Sequence, residues 1–135
     1  MASRDEMLET IYRAYDARAT GDMEGLMTAF HSEGAFELKG DQKHLQVAGL
    51  MEGHANVRAG MTGFVDNFEF VKRDIVGTVV EGERAVVHSR VAVRFIPTDT
   101  TVETDILDVI TFKDGKIVKL EEFADTAMIK HLMGG

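Results

Sequence analysis

Asp108 is where chemistry is most readily built. From Val102 to Phe112 the even positions read Val102, Thr104, Ile106, Asp108, Ile110 and Phe112. The odd positions include Glu103 and Asp105, so the even set is expected to turn inward. One carboxyl then sits on an otherwise apolar face. Burying an unpaired carboxylate is costly, so Asp108 needs a donor or must hold its proton. In a dry pocket such a group acts as general acid, general base or hydrogen-bond donor. A carboxyl satisfied by Ser89, Tyr15 or a water would instead be structural. His54 opens an apolar helical stripe, where an imidazole could be a pocket base or simply pack. Tyr15, Phe64, Ser89 and Ile110 complete the expected lining around Asp108. Asp125, followed by Thr-Ala-Met, has the form of an ordinary helix N-cap. No two of the five histidines have metal-ligand spacing on one element, and there is no cysteine. A metal site, a disulfide and a cysteine nucleophile are therefore not expected, and the chemistry needs no cofactor.

Helices early and strands late must position these residues. Ser3-Arg4-Asp5-Glu6 has capping-box spacing. Leu8, Ile11, Tyr12 and Tyr15 then recur at helical spacing, and Thr20-Gly21 should end the helix. Asp22 caps a second, short helix carrying Leu26, Met27 and Phe30. His31 to Lys39 reads as a break and a short strand centred on Ala35 to Leu38. Gly40 to Met51 has no clear period and is expected to be a loop with possible strand pieces. The helical period returns through His54, Val57, Met61, Phe64, Val65 and Phe68. Strands are expected at Val71 to Val80, Ala85 to Ile96, Val102 to Phe112 and Ile117 to Ala124. Glu81-Gly82-Glu83, Pro97-Thr98-Asp99 and Asp114-Gly115 supply the turns. A last helix opens at Asp125-Thr126, with Met128 and Leu132 on one side. This order predicts an α+β fold, a cone-shaped curved antiparallel sheet closed by N-terminal helices. The mouth of a cone is a favoured ligand site.

Composition narrows the partners. The 135 residues suit one domain, 1–135, and a hydrophobic share of 44% is enough for a core. Net charge is -8, with 23 acids against 15 bases. That potential repels phosphate backbones and anionic lipid, so neither nucleic acid nor a membrane is an expected partner. The absence of cysteine, of an apolar leader in MASRDEMLE and of a membrane-length apolar run predicts a cytoplasmic protein.

The pattern Ile11-Tyr12-Arg13-Ala14-Tyr15, Thr20-Gly21-Asp22, Leu26 and Phe30-His31 resembles the opening of SnoaL-like polyketide cyclases and ketosteroid isomerases. Leu107 to Ile117 resembles their late hairpin. Glu122-Phe123-Ala124-Asp125-Thr126 with Leu132-Met133-Gly134 resembles the SnoaL-like ending. The resemblance implies the nuclear transport factor 2-like fold, a ligand pocket and a homodimer. It places Asp108 where the isomerases hold a carboxylic acid that donates to an oxyanion. It also implies a base aspartate near Leu38 or Lys39, where no carboxylate stands, and a donor tyrosine near Ala14, one residue from Tyr15. In the SnoaL-like cyclases the resemblance implies a carboxylate base near the end of the last strand, where Asp125 sits.

Parity sets the expected pairing. From Ala85 to Ile96 the odd positions Val87, Ser89, Val91, Val93 and Phe95 form the better core face. Even positions turn His88, Arg90 and Arg94 outward. A turn centred between Thr98 and Asp99 sets Ser89 beside Asp108, Val91 beside Ile106 and Val87 beside Ile110. The other register would set Arg90 opposite Asp108. At the last hairpin a two-residue Asp114-Gly115 turn brings Glu121 opposite Asp108, and a three-residue turn with a glycine bulge brings Leu120. Leu120 is favoured, since two facing acids need a reason; Glu121 facing in would make a coupled acid pair.

The leading expectation is a cofactor-independent acid-base enzyme: an isomerase, cyclase or dehydratase acting on a small apolar, carbonyl-bearing molecule. Asp108 is its principal group and Asp125 its second candidate. The alternative is a non-catalytic ligand-binding or association domain. A weaker alternative is an epoxide-hydrolase-like site, which needs an arginine inside. Val86, Ala92 and Ile96 make the outer strand face half apolar and favour a homodimer.

Overall fold

Both halves of the capping box form at the first helix: the Ser3 hydroxyl accepts from the Glu6 amide, and Glu6 accepts from the Ser3 amide. The computed structural model describes residues 2–135. This helix, α1 (Arg4–Thr20), stops at Gly21, whose φ of 74° is the left-handed conformation that glycine tolerates best. Its buried stripe runs through Met7, Leu8, Ile11, Ala14, Tyr15 and Arg18. Tyr12, expected on that stripe, is exposed. Asp22 caps α2 (Met23–Thr28) by accepting from the Gly25 amide. Phe30, expected at the end of that helix, instead starts β1 (Phe30–Leu38). The ambiguous segment is a loop that ends in β2 (Gly49–Glu52). Then come α3 (His54–Asn67) and the strands β3 (Phe68–Glu81), β4 (Arg84–Phe95), β5 (Thr100–Lys113) and β6 (Lys116–Phe123). Helix α4 (Thr126–Leu132) follows.

The six strands form one sheet in the order β2-β1-β6-β5-β4-β3. The β1–β6 pair is parallel and the other pairs are antiparallel. Bulges interrupt β3 after Phe70 and after Ile75. Each bulge bends its strand and increases its twist, which curls this end of the sheet. The helices pack on the concave face. Ile11, Val57, Val87, Ile110 and Ile117 make the dry centre of the core. A second apolar cluster of Phe68, Val91, Val93, Phe95, Ile106 and Leu132 continues it toward the mouth.

The register differs from the expected one by two residues at the β4–β5 connection. Val87 pairs with Asp108, Ser89 with Ile106 and Val91 with Thr104. The chain does not turn tightly at Thr98-Asp99. Ile96–Thr98 forms a 3-10 turn and Asp99 takes a left-handed φ of 52°, so four residues link the strands. A two-residue slip keeps the faces, so Asp108 still points inward. The last hairpin differs as well. Asp114 and Gly115, both at positive φ, make a two-residue turn, but Val118 is then an extra residue. Thr111 pairs with Lys119 and Phe112 with Ile117, and this bulge sets Glu122 opposite Asp108. Neither Leu120 nor Glu121 stands there: Leu120 pairs with Ile110 and Glu121 with Val109. Glu121 faces outward, 3.0 Å from Lys39.

Candidate active site

The concave face holds a cavity of about 80 Å³ with a mostly apolar wall. Phe36, Phe64, Phe68, Ile106, Leu120 and Leu132 contribute much of that wall. Asp108 stands in it, 1% exposed. The Tyr15 hydroxyl on α1 donates to its Oδ2 at 2.6 Å. Arg73 Nη1, from β3, lies 3.9 Å from the same oxygen and donates to Ser89 Oγ at 3.1 Å. Its guanidinium stacks 3.8 Å from the Tyr15 ring centre and 4.7 Å from that of Phe70. Oδ1 of Asp108 is buried and has no partner among the described residues.

Burial pushes the Asp108 pKa well above the usual carboxylate range, and the neighbouring Glu122 pushes it the same way. The Tyr15 hydrogen bond and the Arg73 charge oppose this and lose. Oδ2 accepts from Tyr15 and faces the guanidinium, so the proton belongs on Oδ1. A neutral carboxyl in an apolar cavity is a hydrogen-bond donor and an acid, and the Glu122 side chain stands within reach of its O–H. Burial, then the nearby Asp108, push the Tyr15 hydroxyl upward, so it stays a donor.

Of the residues expected at the site, Tyr15, Asp108 and Phe64 line the cavity together. Ser89 is fully buried and lies beside it, holding Arg73. It is not next to Asp108 along the strands, because of the two-residue slip. Ile110 is fully buried in the core behind the cavity and is not part of its lining. His54 stands elsewhere: its Nε2 lies 3.1 Å from the Met27 carbonyl oxygen, tying α3 to α2. Asp125 accepts from the Met128 amide at 3.0 Å as the N-cap of α4 and is exposed, outside the lining. Arg90 and Arg94 face outward, as parity predicts, and bind Asp105, Glu69 and Asp99.

Three charged lining residues escaped the sequence reading. Glu122 was obscured by the Val118 bulge, although it shares parity with the inward Leu120. Arg73 lies between the two bulges of β3, where alternation is broken. Arg18 had a signal: it extends the stripe Leu8, Ile11, Tyr15 by the next helical step. It is 7% exposed, and its Nη2 donates to the carbonyls of Phe64 (3.2 Å) and Phe68 (2.7 Å).

A family profile described as the SnoaL-like domain matches residues 11–120. No curated protein matches the sequence. Solved structures match throughout. A candidate isomerase from Bacillus subtilis is 15% identical with a TM-score of 0.88, covering 100% of this chain and 97% of its own. A nuclear transport factor 2-like protein of unknown function from Burkholderia pseudomallei is 20% identical with a TM-score of 0.83, covering 100% of both. An LEH-like epoxide hydrolase from M. tuberculosis is 17% identical with a TM-score of 0.75, covering 97% and 92%. Among the described residues no helix is long and apolar enough to cross a membrane. The sheet, the helices that close it and the profile match together make this chain a member of the SnoaL-like family, with the nuclear transport factor 2-like fold.

Proposed function

We propose that the chain is a cofactor-independent acid-base enzyme that moves a proton on a small, mostly apolar, carbonyl-bearing substrate. The observation that carries this reading is the Asp108–Glu122 cross-strand pair, a buried carboxyl facing a half-buried one, with Tyr15 and Arg73 on one Asp108 oxygen. Two carboxyls in one site divide the roles of acid and base when burial raises the proton affinity of one of them, as it does for Asp108. Asp108 is the acid. Glu122, half-buried on the cavity wall, is the base.

The substrate carbonyl oxygen takes the Asp108 Oδ1 hydrogen bond. Glu122 removes a proton from the adjacent carbon. That C–H pair becomes a new C=C bond, and the carbonyl π pair moves to oxygen, where Asp108 stabilises it. Return of the proton to a carbon further along completes an isomerisation; loss of a leaving group would make it a dehydration. Neither Leu38 nor Lys39 is a carboxylate, but Glu122 on β6 pairs with Leu38 of β1 and brings a carboxylate beside that position.

Conversion of cyclohex-3-enone to cyclohex-2-enone, followed by NMR in deuterated water, tests this. Wild type should catalyse it with deuterium incorporation. Asp108→Asn and Glu122→Gln should each lose about 100-fold or more while keeping the fold. Unchanged turnover in both variants would reject the reading and leave a ligand-binding domain. The Arg73–Asp108 contact favours a second reading, since it supplies the interior arginine that an epoxide-hydrolase-like site needs. Opening of styrene oxide to its diol, with the ketone untouched, would favour that reading.

A further inference from the structure

We infer that Arg18 is the seat for an acidic group on the ligand, so that the cavity selects small apolar carboxylates or enolates over their neutral counterparts. This rests on the reading of the cavity as the ligand site. Arg18 lines the cavity and is 7% exposed. No carboxylate oxygen lies within 4 Å of it among the described residues, whereas Arg73 has Asp108. Its two hydrogen bonds both leave from Nη2, to the carbonyls of Phe64 and Phe68. The N–H groups of Nε and Nη1 are left for something else. The guanidinium lies 4.6 Å from the Phe70 ring centre, on a ring that also stacks with Arg73.

A structural role alone accounts poorly for this arrangement. Two backbone carbonyls at the end of α3 can be satisfied by neutral donors, with no ion taken out of water. Burying a cation is costly, and here burial lowers the Arg18 pKa to about 10, an effect that the Glu122 charge on the same wall offsets only in part. A ligand anion removes that cost on binding. The charge is also out of character for the molecule, whose net charge is -8. General surface basicity therefore does not explain it. Arg18 sits on α1 one turn beyond Tyr15, so a carboxylate held by Arg18 leaves the rest of a short ligand along the wall toward Asp108.

The test is binding, read separately from turnover. Benzoate and 3-phenylpropionate are titrated against benzamide and 3-phenylpropionamide by NMR. Wild type should bind each acid about tenfold or more tighter than its amide, the scale of a charge-assisted hydrogen bond in a dry site. Arg18→Met keeps the apolar stem and should bring the ratio to near one without weakening amide binding. Arg18→Lys should retain a preference for the acids, and it keeps the test alive if the methionine variant does not fold. Equal affinity of acid and amide in wild type, failure to bind any probe, or an acid preference that survives Arg18→Met would overturn the assignment. Binding is read without turnover, so this outcome is distinct from failure of the acid-base reading, which is judged on cyclohexenone turnover alone.

Discussion

The protonation of Asp108 has a consequence for stability with a definite sign. Its pKa is raised in the folded chain, chiefly by burial and then by Glu122. Between an ordinary aspartate pKa of about 4 and that raised value, the native state holds a proton that the unfolded chain has released. Stability therefore falls as pH rises through this window and is level above it. Asp108→Asn has no proton to hold and lacks this penalty. The melting-temperature difference, Asp108→Asn minus wild type, should increase by a few degrees between pH 4 and pH 8. Glu122→Gln removes the second cause of the shift, so its difference should rise in the same direction and by less. Thermal unfolding across that range checks both. Parallel curves for wild type and Asp108→Asn would mean that the carboxyl is ionised in the folded protein.

At the scale of elements, the question is what Asp125 is for. It begins α4, which places Met128, Ile129 and Leu132 over the cavity. The geometry makes it a cap, with its carboxylate accepting from Met128. Asp125→Asn retains that acceptor and should keep cyclohexenone turnover within about threefold, since asparagine caps as well as aspartate. Asp125→Ala should cost about 1 kcal/mol in chemical denaturation and raise amide exchange in α4. A collapse of turnover in Asp125→Asn, with α4 intact, would make the carboxylate itself catalytic. The contrast between Asp108 and Asp125 shows what the sequence could convey. Asp108 was legible because alternation survives a slip of two residues, and the slip at Ile96–Thr98 was of that size. Its partner was not legible, because one extra residue at Val118 moved Glu122 into place and no local rule marks that bulge. Arg73 was hidden for the same reason, lying between two bulges. The helices were legible nearly to the residue because their caps, Ser3, Gly21 and Asp22, are local chemistry.

For the whole molecule, the unexplained surface is the convex face of the sheet. Val79, Val86 and Val109 stand in one cross-strand row, and Leu107 and Phe123 pair in the row beside it. Val79 is 66% exposed and Phe123 44%, so this apolar surface faces water in a single chain. Val86 lies on the outer face of the strand whose Val86, Ala92 and Ile96 the sequence marks as half apolar; the other apolar residues here come from β3, β5 and β6. Nearby, His88, Arg90 and Asp105 form a polar cluster that could register one copy against another. We propose that two chains associate through this face. Light scattering at micromolar concentration should give the mass of two chains, and Val79→Glu should give that of one. Each chain carries a net charge of -8, so long-range repulsion opposes association. Added salt screens that repulsion and should tighten the dimer, whereas an interface held by ion pairs would loosen. The cavity lies on the opposite, concave side, so the Val79→Glu monomer should retain the wild-type ratio of acid to amide binding. A monomeric wild type at micromolar concentration would reject the dimer, and a changed ratio in Val79→Glu would mean that assembly reaches through the sheet to the cavity wall.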